Sequence, residues 1–218
     1  MCFNYKVSLF TFAIGTIFSF LLIYYGNKKY ALENKISGIF LIFISAIQFM
    51  DFLFWIDIKN KLGINKITTI LGPILNVSQP LILYLIKYYY QRPDVLSMTN
   101  YNLPVAIINL LYFIFFIKGY ITFLENDTLV TGTKNGHLNW PWMKYSNAPL
   151  YLIVFAINMF YLFNFKYALV FFVITYFFLY LSAKYFYYSI GELWCFFGSF
   201  IPLIMFFLSF YIDNLVPF

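Results

Sequence analysis

An aspartate, Asp51, stands inside an apolar segment running from Ser37 to Ile56, SGIFLIFISAIQFMDFLFWI. As a helix, that segment matches the roughly 20 residues needed to cross the hydrocarbon of a bilayer. A carboxylate at that depth is costly, and chains that keep one use it or pair it. Gln48, Asp51 and Trp55 fall at i, i+3 and i+7, so on a helix they share one face. The segment therefore reads as a membrane helix with a polar stripe.

Composition extends this to the whole chain. Charged residues are 10% of 218 and hydrophobic residues 63%; a soluble domain carries roughly 25% charged residues. The net charge of +6 comes from lysines between apolar runs, where they anchor helix ends. That placement argues against nucleic acid as a partner and for the lipid bilayer itself. Phe (30) and Tyr (21) are abundant, and on their own most of them read as lipid-facing surface. Cys2 and Cys195 form neither a CxxC nor a disulfide framework.

Seven spans are expected: Val7–Tyr25, Ser37–Ile56, Thr68–Tyr90, Leu103–Ile117 (reaching toward Leu124), Ala148–Phe165, Tyr167–Tyr187 and Ile190–Ile212. The 148–187 stretch is too long for one span, and Asn164 and Lys166 mark its hairpin tip. Gly26-Asn27-Lys28-Lys29 follows the first span as a stop-like basic cluster, so that span reads as a retained helix and not a signal peptide. The 119–147 connection carries turn signals, Thr131-Gly132-Thr133 and Asn135-Gly136, with Tyr120–Leu124 and Thr128–Thr131 β-prone. It is expected to fold as a short hairpin or cap on the bundle, with Trp140-Pro141-Trp142 leading back into the fifth helix. The fold class is an all-α integral membrane protein, a seven-helix bundle with a capping loop between helices four and five.

Helix direction alternates, so seven spans put the 57–67, 118–147 and 186–190 connections on one side. Near that side lie Gln48, Asp51, Asn76, Gln79 and Glu192, with His137 and Trp140 in the loop above. Asn109 and Asn158 sit near mid-bilayer as a floor. The expected ligand-binding set is Asp51, Gln48, Trp55, Asn76, Gln79, His137, Trp140 and Glu192. Duller roles stand beside this: an Asp51–Lys184 ion pair, glutamines bonding helix to helix, a plain kink at Gln79-Pro80, a helix-start role for Glu192, and a surface role for His137.

Missing motifs exclude several classes. One histidine rules out multi-histidine zinc sites. No HExxH, GxSxG or P-loop occurs, and no TVGYG filter. A retinal Schiff base would want a lysine midway along the last helix, which has none. No cofactor and no metal are expected.

The chain resembles a family of uncharacterised multi-pass membrane proteins encoded by giant DNA viruses. The resemblance rests on Gln48-x-x-Asp51-x-x-x-Trp55, Gln79-Pro80, Gly136-His137-Leu138-x-Trp140 and Leu193-Trp194-Cys195. It implies a topology and no chemistry. The leading functional expectation is a polar, acidic intramembrane site that binds a small solute, proton or cation, in a transporter, channel or sensor. The alternatives are a structural or interaction protein of a viral or organellar membrane, and an intramembrane enzyme using Asp51 and Glu192 as acid and base.

Overall fold

A computed structural model describes residues 4–90, 102–134, 136–185 and 190–216, and these are mostly helical. Asn4 opens α1 (Tyr5–Tyr25) by accepting the Lys6 and Val7 amides on its side chain, at 3.0 and 3.1 Å. A 3₁₀ turn at Lys28–Tyr30 leads into α2 (Ala31–Ile56). Next come α3 (Ile64–Val77) and α4 (Gln79–Tyr90), which meet at Ser78 with a 60° bend. The fourth expected span is α5 (Asn102–Asn126), a continuous helix that takes in Tyr120–Leu124. Those residues are therefore not a strand; their bulk suits the apolar flank of a helix as well as a sheet. The strands lie just beyond, β1 (Gly132–Lys134) and β2 (His137–Asn139), antiparallel. A 3₁₀ turn at Pro141–Tyr145 precedes α6 (Ala148–Leu162), and Asn164 caps α7 (Phe165–Tyr185) through the Lys166 amide at 3.1 Å. The chain continues as α8 (Ile190–Gly198), α9 (Ile201–Leu208) and α10 (Ile212–Leu215). The expected sixth turn, near Tyr188-Ser189, falls outside the described residues, as do Cys2 and Arg92.

Among the described residues four helices are long and apolar enough to cross a membrane: α1, α2 with its leading turn, α5 and α7. The bent α3–α4 pair makes five if it counts as one span. The α6 helix and the α8–α9 pair are apolar but shorter or interrupted. Outward faces are also apolar, with Phe10 and Ile17 on α1 and Leu110, Ile114 and Phe115 on α5 exposed. A soluble monomer rarely leaves so much contiguous apolar surface to water, whereas lipid covers it without cost.

α1 and α2 pack as a tight antiparallel hairpin. The inward face of α1 carries Ser8, Thr11, Gly15 and Ser19, all buried, which is the small-residue spacing that lets membrane helices approach backbone to backbone. A Cβ on Gly15 would collide with Ser45 Oγ and sit 3.1 Å from the Ser199 carbonyl, at the break between α8 and α9. The core has two parts. One gathers Phe40, Phe155, Tyr167, Phe171 and Met205; the other gathers Met50, Phe54, Tyr112, Phe123, Trp142 and Tyr151 nearer the 57–67 and 127–147 connections. At the opposite end Asp213 binds Lys29 at 2.7 Å and accepts the Tyr30 hydroxyl at 2.9 Å, tying α10 to the α1–α2 turn.

Candidate functional site

Asp51 and Gln48 are fully buried on the face of α2 that meets α1. Gln48 Nε2 donates to Asp51 Oδ2 at 3.2 Å. The Gln48 carbonyl oxygen in turn accepts from Thr11 Oγ1 at 3.0 Å. The single Thr11 proton is shared, because the Val7 and Ser8 carbonyls lie 3.0 and 3.1 Å from the same hydroxyl. Contacts along the hairpin pair Gly15 with Ser45 and Thr11 with Gln48. One turn further along, this antiparallel register sets Ser8 level with Asp51. The Ser8 hydroxyl is buried with no hydrogen-bond partner among the described residues. Thr11 with Gln48, and Ser8 with Asp51, thus occupy two successive turns between two intact helices.

A second polar group lies at the bend of α3 and α4. Pro80 has no N–H to give, and the bend breaks the ladder around it. Side chains bond carbonyls at the bend: Tyr112 donates to Val77 O at 2.6 Å, and Asn158 Nδ2 to Pro80 O at 2.9 Å. Asn158 and Asn109 also exchange reciprocal amide bonds, both 2.9 Å. Gln79 accepts the Tyr151 hydroxyl, while its own Nε2 is buried with no partner among the described residues. Half-buried Asn76 donates to Cys195 Sγ at 3.4 Å. Asn158 therefore joins the backbone at the bend to Asn109 of α5.

Of the remaining expected residues, Trp55 and Trp140 belong to the apolar cluster that includes Met50 and Phe54. Trp55 is half-buried, and its Nε1 has no hydrogen-bond partner among the described residues. Trp140 is buried and stacks on Trp142, with ring centres 5.1 Å apart. His137 is half-buried on β2 opposite Lys134. Burial holds the His137 imidazole below its usual range. Glu192 lies on α8, and its side chain falls outside the described residues. Asp51 forms no ion pair with Lys184, whose ammonium lies over the rings of Tyr180 and Tyr185 at 5.7 and 5.4 Å.

Three groups escaped the sequence reading. Thr11 was one more small residue in an apolar helix. Asp57, just past α2, gathers the amides of Lys61 (2.7 Å), Leu62 (3.1 Å) and Asn65 (3.2 Å). Its burial pushes the carboxyl up, but those amides outweigh it and hold it below the usual range. Asn65 then grips the Thr131 peptide on both sides, Nδ2 to Thr131 O at 2.9 Å and Thr131 N to Oδ1 at 2.8 Å; Thr69 adds a bond to the Thr131 amide at 2.9 Å. Asx residues followed by turn signals, as at Asp57 to Gly63, were the available clue.

Clefts lie elsewhere. One sits between α3, α5 and the 3₁₀ turn, one against the hairpin at Asp127–Lys144, one between α4 and α5, and one between α2 and α4. Asp51 and Gln48 line none of these. Among the described residues no three His, Cys, Asp or Glu side chains gather as a metal site would require. No protein-family model, no curated protein and no solved structure matches the chain.

Proposed function

We propose that the chain is a seven-span membrane bundle whose Asp51 site binds a proton or a small monovalent cation, as part of a transporter, channel or sensor. The observation that carries this is the contrast between the two polar groups. Around α3–α4, Tyr112 and Asn158 are engaged with backbone carbonyls at the bend. Between α1 and α2 the backbone ladders are intact, so Thr11, Gln48 and Asp51 are not needed to satisfy them. A buried carboxylate that the fold does not require is a functional candidate in a membrane.

The chemistry fits the ligand class. Among the described side chains, one carboxylate with neutral oxygens from Ser8, Thr11 and Gln48 supplies one negative charge, which a proton or a monovalent cation neutralises. A divalent ion would want more carboxylates. In this reading the α6 helix, at about 22 Å, and the interrupted α8–α9 pair complete the sixth and seventh crossings with local bilayer thinning. The 127–145 segment caps one end, supported by burial of Trp140 and Trp142 and the grip of Asn65 on Thr131.

The test is flux of protons or monovalent cations in liposomes holding the full chain, against Asp51→Asn. The amide is isosteric and still hydrogen-bonds, so melting in detergent should change little while flux is lost. Equal flux from both proteins would refute the proposal. A second reading, that Gln48 and Asp51 only join helices, has in its favour the Thr11–Gln48–Asp51 chain and the absence of Asp51 from the clefts. It expects no flux from the parent protein.

A further inference from the structure

The groove along α5 consists of two adjoining clefts, one between α3 and the 3₁₀ turn and one between α4 and α5, which share Phe116 in their lining. Their volumes are about 310 and about 450 Å³. The bend opens it: α3 and α4 diverge by 60°, so a straight α5 cannot follow both. Ile74, Leu81 and Leu85 form one wall; Leu110, Phe113 and Phe116 form the other. At one end the apolar lining gives way to Lys118, Thr122, Ser146 and Asn147.

We propose that this groove seats one acyl chain of an anionic phospholipid, with the Lys118 ammonium over its phosphate. Length supports this. From Ala106 to Thr122 helix α5 rises about 24 Å, more than the roughly 15 Å depth of one leaflet of hydrocarbon. Polarity supports it too, since the lining is apolar along the shaft and polar at one mouth only, as a lipid is. Charge selects the headgroup. Lys118 is exposed and forms no ion pair among the described residues, whereas Lys144 nearby is held by Asp127 at 2.6 Å. An uncommitted lysine at a membrane surface favours anionic lipid. This inference is independent of the role given to Asp51.

Trp142 lines the polar mouth and serves as the reporter. The full chain is reconstituted into phosphatidylcholine vesicles carrying a minor fraction of chain-dibrominated lipid, either phosphatidylglycerol or phosphatidylcholine. Bromine quenches tryptophan it touches. The expected result is an apparent affinity about fivefold higher for the brominated phosphatidylglycerol, with most of that quenching lost in Trp142→Phe. Lys118→Gln should abolish the headgroup preference and Lys118→Arg should keep it. Lys59→Gln, at an exposed lysine away from the groove, should leave it unchanged. Equal quenching by the two lipids in the parent protein, or a preference that survives Lys118→Gln, would overturn the proposal.

Discussion

The α1–α2 hairpin and the α3–α4 pair are built from similar apolar residues and solve opposite problems. α1 and α2 are unbroken, so their backbones satisfy themselves, and contact between them depends on removing bulk: Gly15 against Ser45, Gly38 against Ser19 and Ile23. α3 and α4 hold Pro73 and Pro80 and bend by 60°, so contact there depends on adding polar groups that repair the ladder. In lipid no water is at hand to serve a stray carbonyl, and Tyr112 and Asn158 bond the carbonyls at the bend. Polar residues at membrane depth thus carry different weight in the two places. At a break they explain themselves; beside intact helices they ask for another reason.

The hairpin is the place to break this comparison hardest. Gly15→Leu should prevent the close approach of α1 and α2 and the contact with Ser199, leaving little monodisperse protein in detergent. Gly15→Ala is the graded version, costing about 1–3 kcal/mol by overpacking, readable as a lower melting temperature. If Gly15→Leu melts like the parent, the hairpin is not held by small-residue contact.

The broken pair should answer to polar loss instead. Asn158→Leu removes the bonds to Pro80 O and to Asn109 Oδ1, while Asn109 Nδ2 keeps its bond to Val105 O at 2.9 Å, at a cost of about 1–3 kcal/mol. Adding Asn109→Leu should recover part of that cost, because the second substitution removes a group the first left stranded. Strict additivity of the two would show that they do not act as a pair.

The sequence disclosed a mostly helical chain with several helices apolar enough to cross a membrane, and the burial of Gln48 and Asp51, because long apolar runs and a charge within one are strong signals. The break at Ser78 was half legible: Gln79-Pro80 announced a kink, but nothing local names Tyr112 or Asn158 as the partners that accommodate it. Thr11 was invisible for a related reason, since pairing across a helix hairpin depends on register. His137 and Trp140 lie in a connection whose position is set by Asn65 and Thr131, residues distant in sequence, so proximity to Asp51 could not be read from topology alone.

The connection supplies a third case, a segment outside the apolar spans held by side-chain to backbone bonds. Asn65→Ala removes both grips on the Thr131 peptide. Amide exchange over 128–140 should accelerate about tenfold, equivalent to roughly 1.4 kcal/mol, while α1 and α2 stay protected. Uniform acceleration across the chain would mean that the connection and bundle open together.

The smallest expected effect is a pH dependence confined to the same connection. Burial lowers the His137 pKa in the fold, whereas the unfolded chain titrates near about 6.5. Above that value both states are neutral at this site and it contributes nothing to the pH dependence. As pH falls below it, the unfolded state takes up the proton first, so stability drops until the folded imidazole also protonates. The facing groups do not blur this window. At Asp127 burial pushes the carboxyl up, but the bonds from Lys144 and the Thr128 amide outweigh it and hold it low. Asp57 is held low by its amides, so both carboxylates remain ionised. Between pH about 7 and about 5 the melting temperature should fall by roughly 1–2 °C, and exchange in β1 and β2 should rise before exchange in α2. His137→Gln should flatten both. A shift of the same size in that variant would assign the titration to another group and free His137 from any part in holding the connection.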